Sequence, residues 1–256
     1  MKRKVRRIIT LVTLLLFPVI LNYLSPYVPI SGAMEGVVTG SLLLFGLLFL
    51  SGIFFGRAWC GWVCPVAALS DFCQGINNKN VNVRALRIIR YSIFSVWAVF
   101  IIAMFVLAGG IKAIDPLHLT ETGVSVDGPL KYIIYYFVLA LLLVLTIVIG
   151  KRGACHAVCW MSPFLTAGIF FGRLLHIPQL RIRADASKCI GCKTCSAKCP
   201  MSIDVNNRLK EGCIQTADCV LCGECVEGCR KNALSYGIMK CNLNRKSDAA
   251  KDIGLS

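Results

Sequence analysis

Eight cysteines near the end of the chain fall into two runs of one pattern. They are Cys189-x2-Cys192-x2-Cys195-x3-Cys199-Pro200 and Cys219-x2-Cys222-x2-Cys225-x3-Cys229, with nineteen residues between Cys199 and Cys219. Three thiolates at two-residue intervals wrap one face of an iron–sulfur cubane, while a fourth at the longer interval points away and completes the other cluster. The spacing therefore predicts one [4Fe-4S] cluster on Cys189, Cys192, Cys195 and Cys229, and a second on Cys219, Cys222, Cys225 and Cys199. Gly191 and Gly223 suit the tight turns this requires. Structural zinc is the competing use of such thiols, and two interleaved sets of this spacing argue against it. Arg230 stands where the first run has Pro200, which leaves ligation intact.

Four more cysteines form an internal repeat. Arg57-Ala-Trp-Cys60-Gly-Trp-Val-Cys64 and Arg152-Gly-Ala-Cys155-His-Ala-Val-Cys159 share Arg, Cys, Val and Cys, each matched pair 95 residues apart. On a helix, cysteines at i and i+4 have Cβ atoms about 5–6 Å apart. A disulfide needs them near ~3.8 Å, so each pair favours ligation or exchange with the other pair. Four converging thiols could hold a metal, a further cluster or a redox disulfide, and small-residue packing is the plainer alternative. Cys73, Cys213 and Cys241 have no partner at ligand spacing and read as small buried thiols. His118, after Asp115-Pro116, could accept a proton from a quinol or simply be a polar loop residue. His156, inside the second pair, reads equally as a ligand or as an interfacial histidine. Trp59, Trp62 and Trp160 suit a headgroup belt.

The elements that must position these groups are apolar. Of 256 residues, 56% are hydrophobic and 16% charged, and the mean hydropathy is +0.69, values that exclude disorder and point to lipid. Fifteen cysteines in such a chain point to metal or redox ligation in a reducing compartment, because a secreted disulfide scaffold is shorter and more polar. Charge-free runs at Ile8 to Glu35, Val37 to Phe55, Tyr91 to Ile111 and Tyr132 to Gly150 predict four membrane spans in two hairpins. The N-terminus, the segment from Arg57 to Arg90, and Lys151, Arg152 and Arg173 together hold 13 basic residues against the single acid Asp71. The other two loops hold Lys112 and Lys131 against four acids, so both termini are expected in the cytoplasm. The basic N-terminus could also head a signal peptide, with Ser31 and Ala33 near a cleavage point, and the later segments would keep their sides. The run Gly153 to Gly172 is expected to be interfacial or re-entrant, because crossing there would place the cysteine-rich tail outside.

The expected architecture is an α-helical membrane protein with four transmembrane helices and a C-terminal α+β two-cluster ferredoxin domain. Residues 1–176 form the membrane domain, 177–240 the cluster domain and 241–256 a polar tail. The formal charge of +15 is mostly the orientation signature. From Ile177 onward there are 13 basic and 8 acidic residues, which two oxidised clusters would bring near neutrality, so nucleic acid is not an expected partner.

With its eight ligands, the region from about 180 to 240 resembles the bacterial two-cluster ferredoxin domain. Over nearly the whole chain, the spans, the Cys-x3-Cys pairs and this domain resemble the membrane-bound polyferredoxin-like proteins of the NapH type. Relatives of that family include the membrane subunit that passes quinol electrons toward periplasmic nitrate reductase, nitrous oxide reductase regulators and cytochrome oxidase assembly ferredoxins. Cys60-Gly-Trp-Val-Cys64-Pro65 matches the family's Cys-x3-Cys-Pro motif fully, whereas Cys159 is followed by Trp160 and reaches a proline only at Pro163. The resemblance implies a multi-pass protein of the cytoplasmic membrane that carries single electrons between a cytosolic or quinone partner and a redox enzyme or membrane complex. It would be an electron carrier or quinol dehydrogenase subunit and not a stand-alone enzyme. The alternative it implies is a maturation factor that reduces a metal or thiol at the membrane-face cysteine pairs.

Overall fold

Proline and glycine decide where the apolar runs break. In the computed structural model, which describes residues 2–120, 123–214 and 216–240, the run from Ile8 to Glu35 is not one helix. It comprises α1 (Lys2–Leu15), a single turn α2 (Phe17–Ile20), a 3-10 turn (Asn22–Leu24) and α3 (Tyr27–Glu35). Pro18 has no N–H to extend the ladder of α1, so the helix gives way there. Gly36, at φ 75°, ends α3, and β1 (Val37–Thr39) follows. The second expected span therefore begins as a strand, and its helix, α4 (Gly40–Phe55), has 16 residues. Short α5 (Ala58–Trp62) and α6 (Pro65–Cys73) lead to α7 (Val83–Leu107), whose Asn82 side chain caps it by accepting from the Ala85 N–H. β2 (Ala113–Asp115) pairs in parallel with β1, and α8 (Pro129–Ile149) follows.

Among the described residues, α7 and α8 are the two helices long and apolar enough to cross a membrane, which suggests membrane association. At about 1.5 Å per residue they reach roughly 37 and 31 Å, enough for the hydrocarbon layer. Their flanks are left uncovered by protein, with Val96, Val106, Phe137 and Val148 exposed. The four expected spans thus correspond to two continuous helices, one shorter apolar helix and one broken run.

The run Gly153 to Gly172 splits into α9 (Gly153–Ala157) and α10 (Met161–Leu174). α10 runs parallel to α4 and packs along it. Phe164 stacks on Phe45 with centroids 5.0 Å apart, and glycines let the two backbones touch further along. A Cβ on Gly168 would stand 2.2 Å from the Phe49 carbonyl oxygen, and one on Gly52 would stand 2.6 Å from that of Leu165. Gly168→Ala should therefore cost about 1–3 kcal/mol through overpacking. Gly46→Ala, where nothing lies within 4 Å, should be neutral or slightly stabilising. Thermal unfolding of the two variants in detergent separates these outcomes.

The tail begins with β3 (Gln179–Ala184) and contains α11 (Thr194–Ala197), α12 (Val205–Arg208) and α13 (Glu224–Gly228) before β4 (Leu234–Met239). β3 and β4 pair antiparallel, from Gln179 opposite Met239 to Ala184 opposite Leu234. Buried Phe45, Cys60 and Leu165 belong to the same apolar cluster as Ile182, Met201, Val220 and Leu234, so helices and tail share a core. The Gln179 side chain reinforces the joint by donating to the carbonyls of Ile53 (3.0 Å) and Ile169 (3.1 Å). The polar segment 241–256, with Cys241, lies outside the described residues.

Candidate metal centres

Backbone in the left-handed region shapes both cysteine loops. Gly191 (φ 72°) and Lys193 (φ 55°) fold the first loop so that Cys189 and Cys192 precede α11, which carries Cys195. Cys189, Cys192, Cys195 and Cys229 line a single cavity. Gly191 N–H donates to Cys189 Sγ and Ala233 N–H to Cys229 Sγ, both at 3.4 Å. Five exposed basic residues ring this cavity: Lys188, Lys193, Lys198, Arg230 and Lys231.

Cys199, Cys219, Cys222 and Cys225 form the second group, close enough to interact electrostatically with one another. Leu221 (φ 53°) and Gly223 (φ 80°) turn this loop. Only glycine fits at 223, where a Cβ would stand 2.3 Å from the Tyr236 hydroxyl, which itself donates to the Leu221 carbonyl at 2.9 Å. Burial pushes the Cys219 thiol up to about 12 and Cys199 up to about 11, with Cys225 higher still. Thiols so desolvated keep their protons unless a bound cation displaces them, and iron does this. Among the described residues no three His, Cys, Asp or Glu side chains are placed to share a single metal ion.

The repeat has a structural counterpart. α5 and α9 are five-residue helices at equivalent positions, with Arg57 and Arg152 at their N-caps. Each ends before its second cysteine, so Cys64 and Cys159 lie in non-helical backbone and the continuous-helix geometry expected for each pair does not occur. All four cysteines nevertheless line one apolar cavity with Arg57 and Arg152, Phe17 and Val220, and all are free thiols. The second cysteine loop rests on this region. A Cβ on Gly61 would stand 2.2 Å from the Val220 carbonyl oxygen, and Trp62 Nε1 donates to the Leu221 carbonyl at 2.9 Å.

Sequence reasoning missed the role of three acids that gather the buried arginines, and two of them, Asp218 and Glu224, clamp the tail to the helices. Asp218 receives Arg87, Arg90 (3.4 Å) and Arg57 (3.6 Å). Asp71 receives Arg6 (2.8 Å) and Arg152 (3.1 Å), and Glu224 receives Arg6 (2.7 Å) and Arg3 (3.4 Å). Burial alone would raise the Asp218 carboxyl, but the surrounding guanidiniums hold it down to about 2. The available signal was Asp71, the one acid among the basic inner segments.

The remaining candidates separate as follows. His156 is buried, Nε2 has no hydrogen-bond partner among the described residues, and burial with neighbouring arginines pushes its pKa down to about 3, keeping it neutral. It does not line the four-cysteine cavity. His118 lies 3.3 Å from Ser31 Oγ. Trp160 donates to the Leu24 carbonyl at 2.6 Å and Trp62 to the tail, so protein and not headgroups satisfies both indoles. Cys73 is buried and free, whereas Cys213, expected as an unpartnered thiol, is disulfide-bonded.

Comparison with known proteins gives two family matches, a 4Fe-4S binding domain over residues 37–84 and a 4Fe-4S dicluster domain over residues 188–234. An uncharacterized protein of Methanocaldococcus jannaschii is 25% identical over 86% of this chain and 82% of its own length. YccM of Escherichia coli, which bears the name of an electron transport protein, is 26% identical over 87% of this chain, which spans 63% of that relative. The methylamine utilization ferredoxin-type protein MauN of Methylobacillus flagellatus is 25% identical over 71% of this chain and 62% of its own length. No solved structure matches the chain. The two matched regions support two [4Fe-4S] clusters as its cofactors.

Proposed function

We propose that this polyferredoxin-like 4Fe-4S protein, an iron–sulfur electron-transfer protein, exchanges single electrons between a soluble redox partner at its tail and a quinone or redox enzyme at the membrane. Cys189, Cys192, Cys195 and Cys229 would hold an outer [4Fe-4S] cluster, and Cys199, Cys219, Cys222 and Cys225 an inner one. Bound clusters supply one-electron carriers with no proton chemistry of their own. Everything else falls to the chain. Lys188, Lys193, Lys198, Arg230 and Lys231 present a basic rim to an acidic partner, and Cys192 at the exposed edge shortens the approach. Val220 and Leu221 join the inner set to α5, and the Asp218 and Glu224 clamps hold that contact without loss of register. The basic segments support a place in the cytoplasmic membrane with the termini and tail on the cytoplasmic side.

The observation that carries this reading is the grouping of the thiols: one set lies at a solvent edge within a basic rim, and the other is pressed against the helices. Lys193→Glu with Lys198→Glu should slow reduction by an acidic soluble donor about tenfold at low salt and flatten its ionic-strength dependence. Stopped-flow bleaching of the cluster absorbance measures this. An unchanged rate and salt slope would remove the basic rim as the docking face.

A further inference from the structure

We propose that Arg6 and Arg152, two buried guanidiniums that share Asp71, are positioning residues for electron transfer: they hold positive charge beside the inner sulfur set and raise that centre's affinity for an electron. The inference rests on the reading above, because it concerns how the inner of the two proposed centres is tuned. Both side chains are anchored on consecutive carbonyls of α5. Arg152 donates to that of Cys60 at 3.2 Å, and Arg6 to that of Gly61 at 3.4 Å. Gly61 is where the inner loop presses on α5, since a Cβ there would stand 2.2 Å from the Val220 carbonyl oxygen and 3.3 Å from the Cys222 backbone nitrogen. Arg6 also donates to Glu224, two residues beyond Cys222, at 2.7 Å. Both cations are thus fixed to the turn that seats the Cys222 loop.

Their burial decides their weight. Arg6 is 2% exposed and Arg152 0%, and the Nε of each has no hydrogen-bond partner among the described residues. A charge in such a place acts about four times as strongly as one in bulk water at the same distance. The five basic residues around the outer set are exposed, so solvent and salt screen them. The inner sulfurs respond to the buried pair. Burial raises the Cys222 thiol, and Arg152, then Arg6, oppose that rise; burial and Cys222 raise Cys199, which Arg152 also opposes. A field that favours a thiolate also favours the negative charge that one-electron reduction brings to a cluster, whose potential follows its net charge and surroundings. Burial by itself disfavours that charge. Arg6 and Arg152 offset the penalty, while the acids that hold them, Asp71 and Glu224, act in the opposite sense.

Redox titration of the full-length protein, followed by paramagnetic resonance, tests this, with the inner signal identified as the one that survives Cys192→Ser. Arg152→Gln and Arg6→Gln should each make the inner centre about tenfold harder to reduce, about 59 mV for one electron, and leave the outer centre unmoved. Asp71→Asn should shift the inner centre the other way, because both guanidiniums stay and the negative charge between them goes. Opposite signs separate a field from simple loosening, which would move all three variants together. If a glutamine variant fails to fold, Arg6→Lys and Asp71→Asn still decide: the first should keep the wild-type potential and the second should raise it. An inner potential unchanged in every folded variant, or lowered by Asp71→Asn, would overturn the proposal and leave both centres standing. A wild-type protein with one reducible centre, or none, would overturn the proposed function as well.

Discussion

Cys222→Ser should remove about four irons and four sulfides per chain and bring electron exchange with the membrane side down to background, while the outer cluster stays reducible. The loop that carries Cys222 turns through left-handed Leu221 and a glycine that has no room for a Cβ. The same loop rests on Gly61 and Trp62, so the proposed inner centre would border the helices. Cys192→Ser is the counterpart: it should remove a similar amount of iron from the exposed set and block exchange with a soluble donor instead. Iron analysis with paramagnetic resonance, followed by quinone reduction in proteoliposomes, reads both effects. If either variant lost both tail clusters with the chain still folded, the two sets would not be separate centres.

Asp218→Asn should be the most damaging substitution outside the cysteines. The carboxylate is 2% exposed and faces Arg57, Arg87 and Arg90, of which Arg57 and Arg90 are equally buried. Asparagine keeps the shape and removes the charge, leaving guanidiniums with nothing to balance them. Breaking a buried ion pair from one side costs about 3–5 kcal/mol. Thermal unfolding in detergent should show a lowered transition, and limited proteolysis should release the tail. A transition at the wild-type temperature would mean that the apolar core alone holds the tail in place.

The tail was readable because cubane ligation forces a regular spacing onto the sequence. Cys189 to Cys229 announce their grouping without reference to anything distant, and the cavity lined by the first set follows that spacing. The repeat was readable for the same reason, as α5 and α9 share both length and offset. Other features depend on partners far along the chain. Arg6, Arg57, Arg90 and Arg152 read as the basic flanks of membrane spans, yet each is buried against an acid or a carbonyl. Basic residues at helix ends serve orientation and ion pairing equally well, and sequence position does not distinguish the two. The run from Ile8 to Glu35 has the composition of a span but breaks at Pro18, because hydropathy sums over a window and is blind to one missing N–H. The parallel seat of α10 on α4 depends on Gly52 and Gly168 lying opposite each other, which only the fold decides.

The clamps also set an order of assembly. Arg57, Arg87 and Arg90 leave the ribosome long before Asp218, the acid that neutralises them. Through most of synthesis these guanidiniums have no protein counter-charge, and anionic headgroups at the bilayer surface are the natural temporary partners. The helices can therefore settle while the ends that carry these arginines stay wet and open. Closure waits for the last quarter of the chain, when the tail displaces lipid from the arginines and seals the apolar joint around Val220. A tail that failed to dock would leave the arginines without their acidic partners.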